Sequence, residues 1–163
     1  MNISKNTDPH RLFMAEAIKM AELNLKENNG GPFGAIIVKD GKIIARGSNK
    51  VTVMNDPTAH AEIVAIREAC RNLDSFQLAG CDIYCSCEPC PMCLGAIYWA
   101  RPDRIFFAAN RHDAANAGFD DEFIYSELAL PVADRKIITS QLLREKALEV
   151  FDKWITLDRK TPY

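Results

Sequence analysis

Two short segments constrain this chain more than the rest of it together. They are Thr58-Ala59-His60-Ala61-Glu62 and, further on, Pro89-Cys90-Pro91-Met92-Cys93. The pattern is H-x-E, then 26 residues, then P-C-x-x-C. One imidazole and two thiolates give zinc three protein ligands, and the fourth position is left for water. A carboxylate two residues from the imidazole can move that water's protons, which makes an open site hydrolytic where a closed one would be a structural staple. The fold must therefore bring two segments that are distant in sequence to a single point.

The local signals show how. Pro91 suits a first helical position, so Cys90 falls at an N-cap and Cys93 one turn later. Both sulfurs then project from one helix end, where the helix dipole and free N–H groups favour thiolate. His60 lies just before a helical segment that runs to Leu73. On an ideal helix, residues i and i+2 diverge by about 200°. His60 and Glu62 can thus face one ion only if it lies beyond the helix end, and zinc set off the N-termini of two helices meets that condition. The remaining histidines, His10 and His112, read as a first-turn and a surface residue.

The cysteines leave an alternative open. All six (Cys70, Cys81, Cys85, Cys87, Cys90, Cys93) lie in one stretch. Cys87 extends the run to C-x-x-C-x-x-C, and a set of three cysteines with His60 would be closed and structural. Strand alternation places Cys85 and Cys87 on one face, which favours Cys87 as a core residue. An iron–sulfur cluster lacks its fourth cysteine, because Leu94-Gly95-Ala96-Ile97 follows.

Bulk properties narrow the class. A length of 163 residues with 48% hydrophobic content suits one compact domain with a sizeable core. The net charge of −2 gives no electrostatic footprint for nucleic acid, so a small substrate is expected. The polar run Met1–Thr7 lacks the apolar stretch of a secretory leader, and no 18-residue apolar run is present. Together with reduced thiols, these features point to the cytoplasm.

Along the chain, Asp8-Pro9 reads as a helix start, and Met14, Ile18, Ala21 and Leu25, flanked by Phe13 and Ala17, as its core-facing stripe. Asp40-Gly41, between the apolar runs 33–38 and 43–46, signals a hairpin. Residues 48–57 read as loop, 60–73 as helix, 82–87 as strand, 91–100 as helix and 104–109 as strand. Residues 123–130 read as helix, Ile137-Ile138 as a weak strand, and 143–155 as an amphipathic helix. This order predicts an α/β fold with a mixed sheet covered on both faces by helices.

With these residues in view, the chain resembles the cytidine/deoxycytidylate deaminase superfamily, whose zinc signature is H-x-E with P-C-x-x-C. Within it the chain looks most like the small bacterial guanine deaminases. The likeness extends to Gly30-Gly31-Pro32-Phe33-Gly34-Ala35, Asn55 to Glu62, Ser86 to Pro102 and Ala117-Gly118-Phe119-Asp120-Asp121, or about residues 10 to 130. tRNA adenosine deaminases carry a non-acidic loop after the zinc helix, and riboflavin-pathway deaminases space their cysteines more widely.

The resemblance implies a three-layer α-β-α fold with a five-stranded mixed sheet and one zinc per subunit, held by His60, Cys90 and Cys93. It implies a single deaminase domain, residues 1–163, in a homodimer that exchanges a segment of about 131–163. It also implies hydrolysis of guanine to xanthine and ammonia. Glu62 and Asp121 would be the acid/base pair, with Phe33 and Trp99 packed on the purine and Asn49 bonded to its edge. Tyr163 of the partner would close the pocket. Read without the resemblance, Phe33 and Trp99 are core aromatics, Asn49 a turn residue and Asp121 a helix cap. The zinc motifs alone leave guanosine, cytosine, adenine, ammeline or a tRNA adenosine as alternative substrates. They also leave room for a non-catalytic module stapled by four protein ligands.

Overall fold

The computed structural model describes residues 8–163. The leader-like or leaderless character of Met1–Thr7 lies outside them. The chain divides into two compact units, one ending at Asp121 and one spanning Glu122–Tyr163.

The first unit opens with helix α1 (Pro9–Lys26), where the Asp8 carboxylate accepts from the His10 N–H at 3.0 Å and Pro9 occupies the first turn. Strands β1 (Gly34–Lys39) and β2 (Lys42–Ser48) form the expected hairpin. Asp40 and Gly41 both have positive φ, 49° and 71°, as a two-residue turn of this hand requires. A single helical turn, α2 (Val51–Met54), precedes α3 (Ala61–Leu73). Then come β3 (Cys81–Cys87), α4 (Pro91–Ala100), β4 (Arg104–Ala109) and the short α5 (Arg111–Asn116).

The sheet order is β2-β1-β3-β4. β1 is antiparallel to both its neighbours, and β3 runs parallel to β4 through the α4 crossover. One face packs Ala35, Ile37, Ile83 and Cys85 against Ala61, Ala65 and Ala69 of α3 and Ile97 and Ala100 of α4. The other packs Ile36, Val38 and Tyr84 against Ala17 and Phe13 of α1. The expected three layers are present.

The expected fifth strand is not. Among the described residues the sheet has four strands; Ile137 lies in a bend and Ile138 in irregular chain, Ile138 being 93% exposed. Three β-branched residues, Ile137-Ile138-Thr139, between Arg135-Lys136 and Ser140 are too few to form a ladder without a neighbouring strand. Two smaller corrections follow the same logic. Residues 51–54 form a helical turn where a loop was expected, closed by Asn55 in the left-handed region. The buried stripe of α1 is Ala17, Ala21 and Asn24, whereas Ile18 and Leu25 are exposed.

Close approach explains that stripe. A Cβ on Gly34 would stand 2.3 Å from the Ala17 carbonyl oxygen and 2.6 Å from the Ala21 nitrogen. A Cβ on Gly47 would stand 2.1 Å from the Ala61 oxygen and 2.7 Å from the Ala65 nitrogen. Each helix backbone thus rests directly on a strand, and only small residues fit at the contact.

The second unit holds α6 (Glu122–Ala129), a 3₁₀ turn (Val132–Asp134) and α7 (Arg144–Ile155). Glu127 accepts from the Lys136 N–H at 2.7 Å, tying its turn together. None of these three elements buries a residue, and Phe123, Val150, Phe151 and Ile155 are all exposed.

Candidate active site

The two helix starts converge as the motif requires. His60 is the N-cap of α3 and Cys90 the N-cap of α4, both with extended backbone (ψ 159° and 168°). Neither side chain caps its own helix, so both are free to face the gap between the helix ends. His60 Nδ1 lies 3.6 Å from Cys90 Sγ and 3.5 Å from Cys93 Sγ. Donor atoms of the three residues lie within 4.8 Å of one another.

These distances fit zinc. Bonds of about 2.3 Å to sulfur and 2.0–2.1 Å to nitrogen at a tetrahedral angle set N and S about 3.6 Å apart. The protonation chemistry fits as well. Hydrogen bonding from Cys93 pulls the Cys90 thiol down to about 4, with His60 assisting and burial opposing. Cys93 moves up, because it holds the proton that bonds Cys90. His60 is raised by its bond to Cys90. Cys90 thus offers a thiolate that a cation would hold, and metal binding would release the protons held on Cys93 and His60. Cys87, the added donor of the alternative ligand set, is not part of this group, nor is its strand neighbour Cys85. The Cys87 thiol donates to the Asn110 carbonyl at 3.7 Å and is pushed up to about 11, chiefly by burial. Cys85 is raised well above its usual value, again chiefly by burial.

Glu62 lies in the first turn of α3 and is only 8% exposed. Burial raises its carboxyl, and Cys90, His60 and Cys93 all act on it electrostatically or by hydrogen bonding, so it sits at the donor cluster. Asp121 is raised by partial burial first and by the charge of Cys90 second, which puts it within electrostatic range of the same sulfur. Asn49 is buried at the end of β2, and its Oδ1 accepts from the Gly31 and Val51 N–H groups, both at 3.3 Å. That assignment leaves its Nδ2 as the end that can meet a bound molecule. Phe33 stacks edge-on against Phe119 at 4.9 Å.

Trp99 occupies the last turn of α4, 64% exposed, whereas the ligand sulfurs sit at the first turn. The rise of a helix separates it from Cys93 by about 9 Å along the axis. Tyr163 belongs to the second unit and is 71% exposed. Sequence reasoning missed two contributors. Phe119 supports Phe33; the sequence marks it only as part of segment 117–121 and assigns it no role. Asn24 is a polar residue on an otherwise apolar helical stripe, and that anomaly was the available signal. A mostly apolar cavity of about 350 Å³ borders Phe33, Phe119, Ser86 and Ala21 but none of the three donors.

Comparison with known proteins agrees with this geometry. The profile described as "Cytidine and deoxycytidylate deaminase zinc-binding region" matches residues 7–109. The guanine deaminase of Bacillus subtilis (strain 168) is 53% identical over 154 residues, 94% of this chain and 99% of that one. Its crystal structure superposes with a TM-score of 0.92 at 52% identity, covering 94% of this chain and 98% of that one. A tRNA-specific adenosine deaminase from Aquifex aeolicus is 50% identical, but over 48% of this chain and 52% of its own. A His/Cys/Cys donor set at two helix starts, a buried glutamate beside it and this full-length likeness have one reading: the chain belongs to the cytidine and deoxycytidylate deaminase family of zinc-dependent hydrolases.

Proposed function

We propose that the protein hydrolyses guanine to xanthine and ammonia. The observation that carries this reading is the end-to-end likeness to the Bacillus subtilis guanine deaminase, set against a tRNA adenosine deaminase match confined to about half the chain.

Zinc bound by His60, Cys90 and Cys93 supplies the Lewis acidity that makes water a nucleophile near neutral pH. Glu62 takes the proton of the attacking water and delivers it to a ring nitrogen, which activates C2. Oxygen adds at C2 as the ring nitrogen gains its proton, giving a tetrahedral carbon. Glu62 then takes the remaining proton of the added oxygen, it or Asp121 protonates the exocyclic amine, and the C–N bond breaks as the C=O bond forms and ammonia leaves. A carboxyl that cycles between acid and base works best with a pKa lifted toward the working pH, and burial moves both Glu62 and Asp121 in that direction. Phe33 and Asn49 bind the base, the first by ring contact and the second through its Nδ2. Trp99 packs on the purine with Phe33, and Tyr163 of the partner subunit closes the pocket.

The second unit supports a dimer. It presents an amphipathic α7 whose Val150, Phe151, Trp154 and Ile155 are exposed, and Ile137 and Ile138 are exposed as well. Patches of this kind mark association surfaces. The protein is then a cytoplasmic homodimer that exchanges a segment of about 131–163, with Tyr163 of one protomer closing the pocket of its partner. No described helix is long and apolar enough to cross a membrane.

The test is ammonia release by zinc-loaded protein across guanine, guanosine, cytosine, cytidine, adenine and ammeline. Guanine should exceed every other compound in kcat/KM. A higher value for any of the others reassigns the substrate.

A further inference from the structure

Helix α1 carries one polar residue on its buried stripe. Asn24 is 2% exposed and follows Ala17 and Ala21 at the spacing of one helix face. Asparagine is a weak helix former, and the Asn24 Oδ1 has no hydrogen-bond partner among the described residues, which leaves a desolvation cost uncompensated. Against that cost stand two bonds. Its Nδ2 donates to the carbonyl oxygens of Gly31 and Asn49, each at 2.9 Å.

Those carbonyls belong to the segments that carry Phe33 and Asn49. Further bonds lock the two together. The Asn49 N–H donates to the Phe33 carbonyl at 3.1 Å, and the Lys50 N–H donates to the Ala59 carbonyl, next to His60, at 2.8 Å. A Cβ on Gly30 would stand 2.7 Å from both the Asn49 carbonyl oxygen and its Oδ1, so the Gly30 backbone closes over Asn49 from that side. The Asn49 amide cannot turn over without losing both N–H groups on its Oδ1.

We propose that Asn24 is a positioning residue for substrate binding: from inside α1 it ties the Gly31 and Asn49 carbonyls together and thereby holds the Asn49 Nδ2 as a fixed donor toward the base. The inference rests on Asn49 as a substrate-binding residue. Asn24 itself touches no substrate and acts through Asn49.

Asn24→Ala and Asn24→Leu, each alone and in an Asn49→Ala background, test this on zinc-loaded protein. Leucine fills the asparagine volume and removes the orphan oxygen, so it serves where the alanine cavity prevents folding. The single variants should keep zinc and hold kcat within about threefold while KM rises about fivefold or more. In the Asn49→Ala background the same changes should alter KM by less than about twofold. An equal rise in both backgrounds, or no rise in either, overturns the proposal. The side-chain amide resonance of Asn49, assigned by its loss in Asn49→Ala, gives a readout that needs no substrate. It should move toward free-amide values in both Asn24 variants, and an unmoved resonance overturns the positioning role. A wild type inactive on guanine with a shifted resonance sinks the substrate reading and leaves the positioning role standing.

Discussion

At the scale of single residues, burial sets the chemistry. Glu62 is a carboxyl in the first turn of a helix, a place where such groups usually face water, yet it is almost fully covered and lies beside three metal donors. Glu62→Gln should keep zinc, measured by metal analysis, and lose at least ~10²-fold in turnover; an unimpaired rate would remove Glu62 from the proton transfers. Asp121 yields a prediction with a sign. Its folded pKa lies above the unfolded value, so it favours folding at pH below the unfolded value, and that contribution is lost as pH rises through the folded pKa. Asp121→Asn should therefore melt at or above the wild-type temperature at pH ~8, with the gap closing below about pH 4, while ammonia release slows. A variant that melts lower at pH ~8 would show that the ionised carboxylate stabilises the fold. The zinc ligands and Glu62 were legible because their chemistry dictates both residue type and spacing. Asn24 was not, since what it bonds to lies on two other segments.

At the scale of elements, turn and cap signals were read correctly where the chain specifies them locally. Asp8-Pro9, Asp40-Gly41 and Cys90-Pro91 each start or join an element where expected. In the stripe of α1, Met14, Ala17 and Ala21 face the core as read, but Ile18 and Leu25 do not, because the line of burial is set by Gly34, a residue on a different element. Gly47 plays the same part under α3 and bears on the site. Gly47→Ala forces a methyl group into the Ala61 carbonyl and must lift the end of α3 that carries His60 and Glu62. The variant should lose about 1–3 kcal/mol in denaturant unfolding. It should also bind zinc more weakly in a chelator competition. Unchanged zinc affinity would mean that α3 yields elsewhere along its length.

At the scale of the whole molecule, the three-layer order was readable from alternating elements, but the number of strands was not. Ile137-Ile138 has the composition of a strand and no strand beside it among the described residues. Pairing is a property of neighbours, which a short apolar run does not reveal. The exposed apolar residues of Glu122–Tyr163 predict association: light scattering should give twice the chain mass of 18.3 kDa, and the melting temperature should rise with protein concentration. Deleting Tyr163 should lower activity and leave zinc content intact; full activity in the truncated chain would sink the exchanged-tail reading. The seats of α1 and α3 on Gly34 and Gly47 carry a last consequence. Main chain meets main chain there, so the gauge between sheet and helices is cut in peptide rather than in side-chain bulk. A change in the size of an interior residue such as Ile36 or Ile37 is therefore felt first as lost stability, before the spacing of the helix that carries the reactive groups gives way.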